Sequence, residues 1–143
     1  MLFFMNCHLT ALATQTSQPF GMNSTTFKKQ RLSDSMIHLT SIKDIEKAIA
    51  DNRLCLFYIK APDCGVCNVM LDKVERLADS ITAVYSFYTD IIEEPLIAGQ
   101  FLVYSGPTVL LLMDGKEVYR ASQFIDLEEL KYNINRCIEL LAQ

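Results

Sequence analysis

The run Leu54-Cys55-Leu56-Phe57-Tyr58-Ile59 constrains this chain more than any other segment. It is continuously apolar and built from residue types that favour extended backbone, so it reads as a strand covered on both faces. Such a strand belongs at the centre of a sheet with helices packed on either side. The run breaks at Lys60-Ala61-Pro62-Asp63, and Cys64-Gly65-Val66-Cys67 follows at once. A helix is expected from about Cys64, with Val66, Met70, Val74, Leu77 and Ile81 on one stripe.

The flanking sequence supplies the rest of the sheet. Ile37-His38-Leu39 alternates as a short strand, and Ser41-Ile42-Lys43-Asp44 reads as a capping box in which Asp44 bonds back. Ile42, Ile45, Ala48 and Ile49 then share a helical face. Ala83 to Tyr88 reads as a further strand whose Tyr85, Phe87 and Tyr88 form sheet core, and Glu93 to Phe101 as a short helix. Ser105-Gly106-Pro107 is a turn, Thr108 to Met113 a strand, Asp114-Gly115 a tight hairpin and Glu117 to Arg120 the returning strand. Asp126-Leu127-Glu128-Glu129 caps a last helix with Leu127, Leu130, Ile134, Ile138 and Leu141 facing inward. The order β-α-β-α-β-α-β-β-α predicts an α/β domain. Helix-linked strands favour parallel pairing, and the Asp-Gly hairpin adds an antiparallel pair. Glu93-Glu94 and Glu128-Glu129 read as solvated surface.

Residues 1–35 differ in character. They are rich in Ser, Thr, Asn and Gln, and they carry Lys28, Lys29 and Arg31 against Asp34. With no sustained apolar period, this stretch is expected to stay loose, because it cannot bury enough surface to offset its chain entropy. Its apolar opening, Met1 to Met5, follows no basic residue and stops at Asn6, too short for a signal-peptide core. The expectation is a domain over 36–143, beginning near Met36, with the upstream residues an extended start.

Several function classes are excluded at this level. A net charge of −4 argues against a sequence-independent nucleic-acid binder, which needs a basic face. The aliphatic run Val109-Leu110-Leu111-Leu112-Met113 falls far short of the roughly 18–20 residues of a membrane-crossing helix, so no membrane partner is expected. Five cysteines at irregular spacing are not a disulfide framework and fit a reducing, cytoplasmic location.

The chemistry centres on Cys64 and Cys67. At a helix start, unpaired amides and the helix dipole stabilise a thiolate on the first cysteine. The second lies one turn further in, spaced to close a small disulfide ring and to resolve a mixed disulfide. A bare C-x-x-C is unspecific; its place between a buried strand and a helix makes it more telling. Two alternatives stand beside redox chemistry: a chance pair of packed cysteines, and a metal site. With only His8 and His38 besides the pair, a tetrahedral site would have to be shared across a dimer. Cys55 reads as a core residue, Cys137 as a packed or half-exposed helix thiol, and Cys7 as a tail residue without a role.

Over about residues 37–141 the chain resembles the thioredoxin family. Cys64-Gly65-Val66-Cys67 resembles the family's C-G-P-C site, and Gly106-Pro107-Thr108 resembles the cis-proline loop that faces it. The resemblance implies a thioredoxin fold, a central mixed sheet flanked by helices. It implies Cys64 as nucleophile, Cys67 as resolving cysteine, Gly65 and Val66 as the active-site loop, and Gly106, Pro107, Thr108 and Asp63 along the substrate groove. It also implies a thiol–disulfide oxidoreductase acting on protein or small-molecule disulfides in cell redox homeostasis. No metal and no bound cofactor are expected. Gly99 and Gly106 stand alone rather than in a nucleotide fingerprint, so any NADPH dependence would run through a separate thioredoxin reductase. Four departures bear on activity. Asp63 replaces the family's tryptophan, Tyr58 its buried acid, Val66 its motif proline, and Ser122-Gln123-Phe124 its groove glycine. Asp63, Tyr58 and the altered groove support a second reading, a binding or redox-sensing module with little turnover.

Overall fold

The structure, a computed structural model, describes residues 36–143; the expectations for residues 1–35, Cys7 and His8 among them, lie outside these. Nine elements follow in order: β1 (Ile37–His38), α1 (Ile42–Asp51), β2 (Leu54–Lys60), α2 (Cys67–Asp79), β3 (Tyr85–Asp90), α3 (Leu96–Gln100), β4 (Thr108–Met113), β5 (Lys116–Ser122) and α4 (Leu127–Leu141). The strands form one sheet in the order β1-β3-β2-β4-β5. As its composition requires, β2 is central, and Leu54 to Ile59 are all buried.

The pairing departs from the expected parallel run at β4. β1 with β3 and β3 with β2 are parallel, but β4 runs antiparallel to β2, with Thr108 opposite Ile59 and Met113 opposite Leu54. β3 stops at Asp90 beside Lys60, and the connection that carries α3 does not return to the far end of the sheet. β4 therefore starts at the end where β3 finished. That end gathers the last residues of β2 and the first of β4.

Alternation along β2 divides the core. Leu56 and Tyr58 face Val74 and Ala78 of α2 and Leu130, Ile134 and Cys137 of α4. Cys55, Phe57 and Ile59 face Ile45 and Ala48 of α1, with Phe87, Ile97 and Leu110. Phe57 stacks on Phe87 at 4.7 Å between ring centroids and meets Phe101 edge-on. Of the three aromatics expected in the sheet core only Phe87 is fully buried; Tyr85 and Tyr88 are half-buried, and Tyr88 stacks on His38.

Local bonding adjusts several boundaries. Ser41 does cap α1, accepting from the Lys43 amide, but Asp44 makes no return bond; instead the Glu94 carboxylate accepts from the Ile42 amide at 2.9 Å. Glu93 pairs with His38. The Glu93-Glu94 pair is thus a clamp between β1–α1 and the start of α3, not bare solvated surface. β3 begins two residues later than expected, after the turn that follows α2. The β4–β5 hairpin carries Asp114 and Gly115 at φ 49° and 79°, the left-handed pair that a tight two-residue hairpin needs. β5 runs longer than expected, forms an edge of the sheet, and shifts register against β4 between Leu111 and Leu112. Asp126 caps α4 by accepting from the Glu128 and Glu129 amides. Among the described residues no helix is long and apolar enough to cross a membrane.

Candidate active site

Both motif cysteines sit where β2 hands over to α2. The helix starts at Cys67 rather than Cys64, because Cys64 to Val66 form a turn in which the Cys67 amide donates to the Cys64 carbonyl at 3.2 Å. Val66 becomes the residue preceding the helix and is 60% exposed, so it leaves the predicted inward stripe. That stripe consists of Cys67, Val74 and Ala78, with Met70, Leu71 and Leu77 half-buried beside them.

Cys64 and Cys67 are joined as a disulfide with their Cα atoms 5.3 Å apart. Their surroundings differ sharply. Cys64 is half-buried beside the exposed Asp63, Gly65 and Val66, whereas Cys67 is 1% exposed. Bonded to the first residue of α2, the Cys64 sulfur lies at the helix N-terminus, where dipole and free amides favour a thiolate. Asp63 takes a left-handed backbone, φ 54°, and its side chain faces water. Lys60 is not its partner: the ammonium lies 3.7 Å from Asp90.

Beneath Cys67 lies Tyr58, fully buried, its hydroxyl donating to the Cys67 carbonyl at 2.7 Å. Burial pushes its phenol above the ordinary range, so it stays a neutral donor. Apart from Tyr58, the buried polar side chains among the described residues are Thr89 and Thr108, so no carboxylate stands in the core behind the pair. The Tyr58–Cys67 contact was not read from sequence. Its signal was present, since a phenol inside a fully buried strand must find an acceptor.

The loop resembling the cis-proline segment reaches the same end of the sheet. The Gly106–Pro107 peptide is cis. Gly106 presses on Ala61: a Cβ there would lie 2.6 Å from the Ala61 Cβ and 2.8 Å from its amide nitrogen. Pro107 is buried, and its carbonyl accepts from the Gln123 amide at 2.8 Å. Thr108 is 1% exposed, its hydroxyl donating to the Ser105 carbonyl at 2.7 Å and lying 2.9 Å from the Ser122 hydroxyl. At the departed groove position Gln123 adopts φ 69°, and Phe124 is 89% exposed. A shallow cavity of about 310 Å³ opens there, lined by Met70, Gln123, Phe124, Ile125 and Asp126.

Among the described residues the two other cysteines, Cys55 and Cys137, are buried. The Cys55 thiol points at the Ala48 and Asn52 carbonyls, and burial pushes it up to about 12. Cys137 packs with α4 against the sheet and is also raised by burial. Among the described residues no group of three or more His, Cys, Asp or Glu side chains is placed to hold a metal ion.

Comparison with known proteins gives a consistent result. The thioredoxin family model matches residues 36–136. The thioredoxin-like protein YdfQ of Bacillus subtilis is 29% identical over 105 residues, which cover 73% of this chain and 94% of that protein. Thioredoxin of Chlamydia muridarum is 35% identical over 95 residues, covering 66% of this chain and 92% of its own. Among solved structures, Fasciola hepatica thioredoxin superposes with a TM-score of 0.64 at 33% identity, covering 71% of this chain and 98% of that one. A mutant thioredoxin from Halobacterium salinarum gives 0.65 at 25% identity, covering 72% and 90%.

Proposed function

The chain belongs to the thioredoxin family, and on that premise we propose that it is a thiol–disulfide oxidoreductase in which Cys64 attacks and Cys67 resolves. The observation that carries this reading is the unequal burial of two bonded cysteines at a helix start. The half-buried Cys64 can meet an incoming disulfide, and the 1% exposed Cys67 can meet little except Cys64. In the reducing direction the Cys64 thiolate attacks one substrate sulfur, breaks the substrate S–S bond and releases a thiolate. The Cys67 thiol then gives up its proton to solvent, and its sulfur attacks Cys64. The mixed disulfide breaks, the Cys64–Cys67 bond forms, and the second substrate thiol leaves. Two electrons pass from the dithiol to the substrate disulfide.

In this reading Gly106 and Pro107 border the channel for an extended protein substrate. Thr108 acts from below, its hydroxyl tying the loop to Ser105 and Ser122. Asp63 and Val66 form the exposed rim beside Cys64. A separate reductase, rather than a nucleotide bound to this chain, would recycle the pair in a cytoplasm-like reducing compartment.

The test is reduction of a model protein disulfide by a small dithiol, with and without the protein. Cys64→Ser is expected to abolish the acceleration, and Cys67→Ser to trap mixed disulfides visible by mass spectrometry. If Cys67→Ser turns over as fast as wild type, the two-cysteine mechanism is wrong. If wild type gives no acceleration, the oxidoreductase reading gives way to a binding or sensing module. The altered groove at Gln123-Phe124 favours that second reading.

A further inference from the structure

The start of α2 is held in an unusual way. A helix start commonly takes a side-chain cap from Ser, Thr, Asp or Asn. Here the preceding residue is Val66, which offers none. The first turn nevertheless carries the buried Cys67, whose sulfur must stay within reach of Cys64 once their bond opens. Helix ends fray when nothing holds them. Among the described residues the one side chain bonded to this turn from the sheet is Tyr58, through the Cys67 carbonyl at 2.7 Å. A carbonyl oxygen has two lone pairs, so the phenol can bind it beside the intrahelical amide.

We propose that Tyr58 is the positioning residue for Cys67: its buried hydroxyl clamps the uncapped start of α2 to the central strand, so that the resolving sulfur keeps its place when the disulfide opens. The clamp matters least in the disulfide, where the S–S bond already fixes the turn. It matters most in the dithiol and the mixed disulfide, where nothing covalent does. Its loss therefore lowers the effective concentration of Cys67 at Cys64. Two quantities should fall together, the rate of the resolving step and the equilibrium preference for the closed disulfide. The attack of Cys64 on an outside disulfide does not use the clamp and should not change.

The inference rests on the oxidoreductase reading, and one experiment separates the two. The full chain, reduced, is mixed with oxidised glutathione, quenched with acid at intervals and analysed by mass spectrometry. Cys64 attacks glutathione disulfide, releasing one glutathione and forming the mixed disulfide. Cys67 then releases the second glutathione as the intramolecular disulfide closes. Tyr58→Phe keeps the ring and removes only the hydroxyl. It is expected to form the mixed disulfide at the wild-type rate and to resolve it about tenfold more slowly, the scale of one buried hydrogen bond. Equilibration with reduced and oxidised glutathione should show a matching loss of about tenfold in the closing equilibrium, or ~30 mV toward a more oxidising potential. Tyr119→Phe removes a phenol hydroxyl that lies 3.4 Å from Glu129 on the surface and should change neither quantity.

If Tyr58→Phe melts earlier but resolves and equilibrates as wild type does, the tyrosine only packs the core and the inference is overturned. If wild type forms no mixed disulfide, the oxidoreductase reading fails and takes the inference with it. A slower first step in Tyr58→Phe, with an unchanged second, also overturns it, because the clamp would then act on Cys64.

Discussion

Gly106→Ala tests whether the loop before Pro107 rests on the end of β2 as closely as the structure places it. The new Cβ would lie 2.6 Å from the Ala61 Cβ, 2.8 Å from the Ala61 nitrogen and 3.2 Å from its Cα. Two of these three atoms are backbone, at the point where β2 leaves the sheet, so no side chain can rotate away. Overpacking of this kind costs about 1–3 kcal/mol, and the backbone contacts put the expected loss at about 2–3 kcal/mol. For a domain near 100 residues that is a fall of roughly 8–12 °C in Tm. Thermal and urea unfolding followed by circular dichroism would measure it. Gly65→Ala is the control, since its new Cβ would meet nothing within 4 Å, and it should stay within about 0.5 kcal/mol of wild type. Adding Ala61→Gly removes the contact at 2.6 Å but leaves the backbone ones, so the pair should recover only part of the loss, with a coupling of about 1 kcal/mol. A Gly106→Ala protein within about 0.5 kcal/mol of wild type would refute the close approach.

Two further predictions concern buried charge and backbone. Burial raises the folded Cys55 thiol to about 12 from an ordinary 9.0. Below pH 9 the thiol is protonated in both states; above it the unfolded thiol ionises first and pulls the equilibrium toward unfolding. Between about pH 9 and 12 the stability of wild type should therefore fall more steeply than that of Cys55→Ala, by about 1.4 kcal/mol per pH unit. Equal slopes in urea titrations across that range would show that Cys55 is not shielded. Leu102 sits at φ 54° with its side chain exposed, so Leu102→Gly should cost nothing or stabilise by up to about 1 kcal/mol. Leu102→Val should destabilise by about 1 kcal/mol, because a β-branched residue fits that region least. A Val variant more stable than the Gly variant in urea unfolding would contradict the assigned backbone.

Much of the fold was legible because burial imposes a period. The run from Leu54 to Ile59 announced a central strand, Thr108 to Met113 gave β4 without error, and Asp114-Gly115 fixed the hairpin. What stayed hidden depends on groups distant in sequence or on direction, to which a period is blind. Alternation says that β4 is a strand but not which way it runs; its direction shows only in the pairing of Thr108 with Ile59 and of Met113 with Leu54. The Ile42 amide at the start of α1 is served by Glu94, 52 residues further along the chain, which no local reading around Asp44 could show. In the site the cysteine pair and the Gly106-Pro107 loop were legible from motif and spacing. The Tyr58 contact and the close approach of Gly106 to Ala61 join residues that only the fold brings together. The start of α2 was misplaced by three residues because Cys64 to Val66 are compatible with either a turn or a helix.

The two borders of the sheet have a consequence for how the protein behaves when crowded. An open strand edge offers unpaired amides and carbonyls to any passing extended chain, and long flat edges invite runaway strand addition. Among the described residues one border, β1, is only two residues long. The other, β5, carries Lys116, Glu117 and Arg120 and is thrown out of even register by the irregularity beside Leu111 and Leu112. On the proposed function, in which extended segments are received beside the cysteines, these borders are poorly suited to bind such segments elsewhere. Recognition of an extended chain would then be confined to the end of the sheet that holds Cys64 and Cys67, while a short β1 and a charged, irregular β5 resist becoming a template for fibrils.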